Sequence, residues 1–83
     1  MKKWEYMLTN FYWVDDTLRL SGLNGLNWRE SPSIMGFNLY RDAYKNPLCA
    51  DFLKKAGEEG WEAIGVSRNQ SSTFILFKRE LKN

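Results

Sequence analysis

The first pattern along the chain is an alternation of apolar and other positions. In the opening segment KKWEYMLTNFYW, the side chains of Trp4, Tyr6 and Leu8 stand at every second position. A period of two places such side chains on one face of a β-strand. The pattern therefore predicts a first strand close to the amino end.

The segment from residue 13 to residue 45 lacks a comparable period. Its stretch SGLNGLN carries glycine and asparagine, which favour turns because they tolerate positive φ. The flanking TLRL and NWRE can pair as a short hairpin, whereas ESPSIMGFNLYRDAYKN allows only a helical turn or two. We expect residues 13–45 to form an irregular insertion with some local structure.

A helix is predicted in NPLCADFLKKAGEEGW. Asn46 can cap its first turn, and the proline that follows suits the first helical position because that position needs no amide donor. Leu48, Phe52 and Ala56 are spaced by four and form an apolar stripe. Gly60 suits the left-handed conformation that commonly ends a helix.

The remaining segment, WEAIGVSRNQSSTFILFKREL, predicts a hairpin because two apolar runs flank the polar turn RNQSS. The last run is the most apolar and belongs in the middle of a sheet, and the crossover connection is expected to be right-handed. The predicted fold class is α+β: a small three-stranded antiparallel or mixed sheet of order 1-3-2, a split β-α-β arrangement. One main helix lies on one face, and residues 1–83 form a single domain with the insertion at about 13–45.

One helix can cover only one face of such a sheet. In the last strand, Phe74 and Leu76 project to one side, and Ile75 and Phe77 project to the other. Leaving large apolar side chains in water forfeits about 1.5–3 kcal/mol each. We expect the insertion and a second subunit to cover the second face, with a homodimer or larger homo-oligomer as the main cover.

Composition narrows the functional classes. Four Trp, four Tyr and five Phe make 16% of the chain aromatic, which is typical of a filled core, an interface or a stacking site. The net charge of +2 is too small to indicate binding to long nucleic acid. A single cysteine excludes an internal disulfide, and the opening MKKWEYM is unlike a secretory signal peptide. We expect a cytoplasmic protein that does not associate with a membrane.

Three motifs resemble those of a widespread family of short bacterial and phage proteins, known as a domain of unknown function. They are KKWEY at the amino end, AGEEGWE at the helix exit and FILFKREL at the carboxyl end, and they cover roughly half of the chain. Residues 13–45 are not part of the pattern. The resemblance implies the fold, and it carries no active site to this sequence.

The sequence predicts that the chain is not an enzyme. It holds no histidine and no nucleophile motif, phosphate-binding loop or cluster of metal ligands. Asp15 and Asp16 are adjacent, so on a strand their carboxylates would point to opposite faces. Cys49 lies on the apolar side of the predicted helix, as a small core residue does. No cofactor and no metal are expected.

The insertion interleaves aromatic side chains with arginines. Aromatic rings stack on bases, and guanidinium groups bind phosphates through two hydrogen bonds. The candidate ligand-binding residues are Trp13, Arg19, Trp28, Arg29, Tyr40 and Arg41. The alternative is that these side chains cover the open face of the sheet and form the rim of an interface, where Arg, Trp and Tyr are also enriched.

The functional hypothesis is a non-enzymatic homo-oligomeric module that captures a small anionic ligand, such as a signalling nucleotide, at a subunit interface. A phage protein of this kind could sequester a host signal. The alternative is a protein–protein adaptor that uses the open sheet face or an edge strand. Trp61, in the segment EEGWEAIGV, is interpreted as packing where the helix meets the sheet rather than as a binding residue.

Overall fold

The structure is a computed structural model that describes residues 1–24 and 33–81. Its described residues form a small α+β fold with one α-helix and a four-stranded antiparallel sheet. The elements in chain order are β1 (Trp4–Val14), β2 (Thr17–Leu23), β3 (Ser33–Ile34), β4 (Phe37–Asn38), a 3-10 helix (Ala43–Lys45), α1 (Cys49–Glu58), β5 (Glu62–Arg68) and β6 (Ser72–Glu80). The short strands β3 and β4 pair only with each other.

The main sheet has the order β2-β1-β6-β5, so the predicted three-stranded sheet is wrong. The additional strand, β2, pairs antiparallel with β1 from Thr9 opposite Leu23 to Val14 opposite Thr17. The connection between them is a tight turn in which Asp15 has a φ of 54°. Aspartate tolerates this left-handed conformation, which lets the chain reverse within two residues.

Strand β2 also corrects the expectation that residues 13–45 are irregular. Its sequence TLRLSGL alternates apolar and polar positions, and Leu20 and Leu23 are buried. The spacing between these two leucines is three rather than two because β1 and β2 shift register between Asn10 and Phe11. Pairing with β1 therefore outweighs the turn preference of Gly22.

The predicted helix is present, but Asn46 does not cap it. The N-cap is Leu48, which makes no side-chain capping hydrogen bond. The buried Asn46 side chain instead accepts a 2.8 Å hydrogen bond from the Tyr40 amide and donates a 3.3 Å bond to the Tyr40 carbonyl. At the other end, the chain leaves the helix through Gly60, whose φ is 86°.

The core lies between α1 and one face of the sheet. Phe52 of α1 is fully buried, and its ring centroid lies 5.7 Å from that of Phe11, 5.7 Å from that of Phe37 and 6.1 Å from that of Phe77. The buried apolar residues are Met7, Phe11, Leu20, Leu23, Leu39, Phe52, Ala56, Ile75 and Phe77. Since Leu39 belongs to this cluster and the partly buried Phe37 packs against it, the described carboxyl half of the insertion packs on the helix side of the sheet.

The two edges of the sheet differ. Beside β2, the Leu20 amide donates a 3.0 Å hydrogen bond to the Pro47 carbonyl. Arg19 and Leu48 form an isolated antiparallel β-bridge at the same edge. Beside β5, no described strand pairs with the outer edge, and all seven residues of β5 are exposed. No helix within residues 1–24 and 33–81 is long and apolar enough to cross a membrane.

Candidate functional site

The face of the sheet opposite α1 carries large apolar side chains and is named the open face. Met7 and Thr9 are buried beneath the helix, so their neighbours on β1 project to the other side. The open face is formed by Tyr6, Leu8, Tyr12, Phe74 and Leu76. Tyr6 is 57% exposed, Leu8 42% and Tyr12 47%, whereas Phe74 and Leu76 are half-buried.

Strand register brings these side chains into rows that cross the sheet. Leu8 lies opposite Leu76, which in turn lies opposite Gly65 of β5. In the next row, Asn10 lies opposite Phe74. Directly opposed side chains in an antiparallel pair lie about 4.5–5.5 Å apart at Cβ, so the open face is contiguous rather than a set of isolated apolar residues.

Charged side chains occur at both ends of the open face. At one end, Arg19 of β2 lies opposite Tyr12. At the other end, the row of Tyr6 continues into Lys78 and then Glu62, while the two central rows carry no charge. The Lys78 ammonium lies 4.3 Å from the centre of the Trp4 ring, so it is held against an aromatic surface. An uncharged centre with charged and polar residues at the rim is the composition of a protein interface.

Asn10 is an unusual polar residue in the centre of this face. Its Oδ1 atom is buried and receives no hydrogen bond from the described residues. A buried acceptor without a donor costs about 1–3 kcal/mol. The row of Asn10 and Phe74 therefore contains a polar acceptor that the fold encloses rather than presents on the surface.

Arg19, a predicted ligand residue, holds the loop that follows β4. Its Nη1 atom donates to the carbonyl oxygens of Tyr44 at 3.1 Å and Asn46 at 2.9 Å, and its Nε atom donates to Thr17 Oγ1 at 3.1 Å. The guanidinium carbon also lies 5.7 Å from the centre of the Tyr44 ring. These contacts position the loop and leave little of the guanidinium for an anion.

Tyr40 and Arg41 do share a cavity. It has a volume of about 480 Å³ and is also lined by Asp42 and Lys45. The Asp42 side chain accepts a 3.1 Å hydrogen bond from the Tyr44 amide, which fixes the start of the 3-10 helix. The cavity thus combines an aromatic ring, two cations and a carboxylate that is already engaged.

The other predicted ligand residues are not brought to that cavity by the described structure. Trp13 lies at the end of β1 opposite Leu18 and is 52% exposed, but it does not line the cavity. Trp28 and Arg29 lie outside the described residues. Of the six predicted ligand residues, the described structure therefore brings only Tyr40 and Arg41 together in this cavity. Lys45 also lines it and was not predicted from the sequence.

Tyr44 and Asp15 connect the β1–β2 turn to the 3-10 helix. The Tyr44 hydroxyl donates a hydrogen bond to Asp15 Oδ2. This bond raises the pKa of Tyr44 above its ordinary value, and desolvation and the negative charge of Asp15 act in the same direction. The pair fastens the loop that carries Tyr40 and Arg41 to the sheet.

A second cavity, of about 600 Å³, lies near the exit of α1. Its described lining residues are Glu5, Glu59, Gly60, Arg79, Glu80 and Leu81. Arg79, the one cation among these described residues, forms an ion pair with Glu5. The surplus of carboxylates makes this cavity unsuited to an anion.

The described residues hold little for covalent or metal chemistry. Cys49 is half-buried, and burial raises the pKa of its thiol, which disfavours the nucleophilic thiolate. Within residues 1–24 and 33–81, no group of three or more Cys, Asp and Glu side chains is arranged to hold a metal ion.

The fold and the open face define a small α+β domain whose sheet carries a contiguous apolar surface opposite α1. No family model, no curated protein and no solved structure matches this chain. The resemblance of its three motifs to the bacterial and phage family therefore remains a prediction.

Proposed function

We propose that this chain is a non-enzymatic interaction module whose open face binds a protein partner. The observation that carries the proposal is the contiguous row of Leu8 and Leu76, flanked by Tyr6 and Tyr12, on a face that α1 does not cover. Apolar patches of this kind mark interaction surfaces on small domains. Tyrosine adds to the argument because it is enriched where partners contact each other.

Burial of the open face against a partner would supply a hydrophobic contribution to binding. Completing the burial of a side chain such as Leu8 or Tyr6 contributes part of the roughly 1.5–3 kcal/mol that full burial gives. The sum of several such contributions must exceed the free-energy cost of the translational and rotational freedom that is lost on association.

Native mass spectrometry of the protein purified from its own host tests this proposal. We expect an associated polypeptide on the wild-type chain and its loss in Leu8→Glu. Leu53→Glu is the matched control, because Leu53 is 39% exposed on α1, outside the open face. A wild-type chain without any associated polypeptide, or an association that Leu8→Glu leaves intact, would contradict the proposal.

A second candidate function is the capture of a small anionic ligand, such as a nucleotide, in the cavity of Tyr40, Arg41 and Lys45. The observation in its favour is that two of the predicted residues share this cavity with a further cation. The Tyr40 ring is 45% exposed and could stack on a base, and the cations could hold a phosphate. In this case the ligand would be sequestered rather than converted.

Thermal unfolding with a panel of mono-, di- and cyclic nucleotides tests the second candidate. A ligand at a hundredfold excess over its dissociation constant stabilises the folded chain by about 2.7 kcal/mol. Lys45→Glu should abolish the stabilisation, whereas Lys54→Glu on the exposed side of α1 should preserve it. A melting temperature that no nucleotide changes would contradict ligand capture.

We also propose a cytoplasmic location for this module. The support is chemical: its one cysteine is a free thiol, which fits a reducing compartment. Fractionation of the source cells would test it, and recovery of the protein in an extracellular fraction would contradict it.

A further inference from the structure

We propose that the occupant of the open face is a second copy of this chain, packed face to face about a two-fold axis. The axis runs along the strands, between β1 and β6. This inference rests on the proposed function and names the partner of the same surface. Three features of the face support it: its size, the match between its own rows, and the position of its charges.

The size of the face fits a dimer. Strands lie about 4.8 Å apart and rise about 3.3 Å per residue, so a face of four strands and nine residues measures roughly 19 Å by 30 Å. Two copies would together bury roughly 1,100 Å², close to the lower bound of about 1,200 Å² for stable specific interfaces. We therefore expect a reversible dimer rather than an obligate one.

The rows of the face are complementary to themselves under this axis. The rotation keeps each row in place and exchanges β1 with β6, so Leu8 of one copy meets Leu76 of the other. By symmetry, Leu76 of the first copy meets Leu8 of the second, which gives two identical apolar contacts at the centre. Aligned sheets pack about 10 Å apart at an angle of about 30°, which preserves these central contacts.

The charges are compatible with the same arrangement. Lys78 of one copy lies over Tyr6 of the other, because these two residues share a row on β6 and β1. Glu62 lies on β5, at the outer edge of the sheet, and does not face another carboxylate of the open face. Among the described residues of this face, no pair of like charges is brought together, and the Lys78 ammonium meets aromatic rings on both sides of the interface.

The free edge of β5 is a less suitable site for a second copy. Its register against β6 shifts between Ala63 and Gly65, which marks a β-bulge. Bulges twist an edge and interrupt the row of backbone groups that an added strand would need. The open face has no such irregularity between β1 and β6.

A charge exchange across the two-fold axis tests the proposal. Leu8→Glu and Leu76→Lys should each weaken self-association by about 100-fold or more, since each places two charges in an apolar interface. An equimolar mixture should restore a heterodimer, because the carboxylate introduced in one chain then meets the ammonium introduced in the other and the remaining leucines still meet. One variant is produced with uniform isotope labelling, because the Glu and Lys substitutions change the mass of the chain by nearly the same amount. Native mass spectrometry then distinguishes the heterodimer from either homodimer by mass, and Leu53→Glu should dimerise like the wild type.

Several results would overturn the inference. If the wild-type chain stays monomeric up to millimolar concentration, the dimer is excluded. If the variants self-associate as strongly as the wild type, the open face is not the dimer interface. If both variants are folded but form no heterodimer when they are mixed, this two-fold axis is excluded. If either variant fails to fold, isotope-filtered NOEs in a mixed-label wild-type sample decide instead: they must connect Leu8 of one copy to Leu76 of the other.

Failure of this inference is distinguishable from failure of the proposed function. If protein from the source cells carries a different polypeptide that Leu8→Glu removes, the open face is an interaction surface but its occupant is not a second copy. If neither a second copy nor another polypeptide binds, the proposed function fails as well.

Discussion

The guanidinium of Arg79 lies over the ring of Trp61, with its carbon 4.3 Å from the ring centre. The same group donates from Nε to Glu5 Oε1 at 2.7 Å and from Nη1 to the Glu59 carbonyl at 3.1 Å. Arg79 therefore joins β1, β6 and the exit of α1 through a single side chain. A cation held over an aromatic ring that also makes several directed hydrogen bonds is a combination that arginine provides better than lysine.

Arg79→Lys should lower the free energy of unfolding by about 1–2 kcal/mol. The charge is kept, but the stacking on Trp61 and the directed hydrogen bonds are lost. Urea denaturation measures the change. Lys78→Arg on the adjacent position of β6 is the control and should stay within about 0.5 kcal/mol of the wild type. If Arg79→Lys also leaves the free energy of unfolding within about 0.5 kcal/mol of the wild type, the contacts of Arg79 with Trp61, Glu5 and Glu59 do not stabilise the fold together.

The interpretation of Trp61 from the sequence agrees with this geometry. Trp61 is half-buried, packs against the core cluster and leads directly into β5, so it marks the junction of helix and sheet. Its stacking partner was not predictable, because Arg79 is eighteen positions away and only the sheet register brings the two together. Its buried Nε1 donor has no partner among the described residues.

Gly57 and Gly60 should respond in opposite directions to substitution by alanine. Gly57 lies inside α1, and an added Cβ would meet nothing within 4 Å, so Gly57→Ala should stabilise the chain by about 0.5–1 kcal/mol. Gly60 has a φ of 86°, so Gly60→Ala should destabilise it by about 1–2 kcal/mol. Thermal and urea unfolding of both variants provide the measurement.

Space alone does not explain the expected difference. An added Cβ at Gly60 would approach Arg79 Cδ at 3.6 Å, an ordinary van der Waals contact. The backbone conformation is therefore the cause, and Gly60→Asn should be milder than Gly60→Ala because asparagine tolerates positive φ. Equal losses in the two Gly60 variants would argue against this explanation.

Phe52→Ala should cost about 3–5 kcal/mol, because the side chain is fully buried among three other phenylalanine rings. Such a loss is a large part of the total stability of a domain of this size. Leu53→Ala, one position along, is the control and should cost less than about 1 kcal/mol because Leu53 is 39% exposed. Chemical denaturation distinguishes the two, and similar losses would mean that α1 packs through a different face.

The sequence predicted the local elements better than their assembly. The apolar stripe of α1 and the alternation in β1 depend on neighbouring residues, and both elements are present. Strand β2 was missed because glycine and asparagine in SGLNGLN favour turns locally, whereas pairing with β1 is a long-range effect. A two-residue turn at Asp15 and Asp16 was the signal that could have indicated the β1–β2 hairpin.

The candidate site was predictable only in composition. Arginines and aromatic residues in the insertion were identified as a group, but their partners depend on tertiary contacts. Arg19 binds backbone carbonyls, while Arg41 lies in a cavity with Tyr40. Lys45 was not selected because nothing in its immediate sequence places it beside Tyr40; the 3-10 helix does so.

The Tyr44–Asp15 contact predicts a pH dependence. The hydrogen bond to Asp15 raises the pKa of Tyr44, so the phenol in the folded chain binds its proton more tightly than in the unfolded chain. The stabilisation is therefore complete below the ordinary tyrosine pKa of 10.0 and is lost as the pH rises through the higher pKa of the folded state. Tyr44→Phe should be less stable than the wild type at neutral pH, and the difference should disappear in strongly alkaline solution.

Titration of tyrosinate absorbance provides a direct measurement of the same contact. The component that Tyr44→Phe removes should have a midpoint above 10.0 in the wild type. Asp15→Asn should lower this midpoint, because it removes the negative charge and weakens the acceptor while asparagine still tolerates the φ of 54°. Asp16→Asn, at the neighbouring position of the turn, is the matched control and should leave the midpoint near its wild-type value. An unchanged midpoint in Asp15→Asn would show that Asp15 does not hold the Tyr44 hydroxyl in solution, and the loop carrying Tyr40 and Arg41 would then be held to the sheet by other contacts, among them the hydrogen bonds of Arg19.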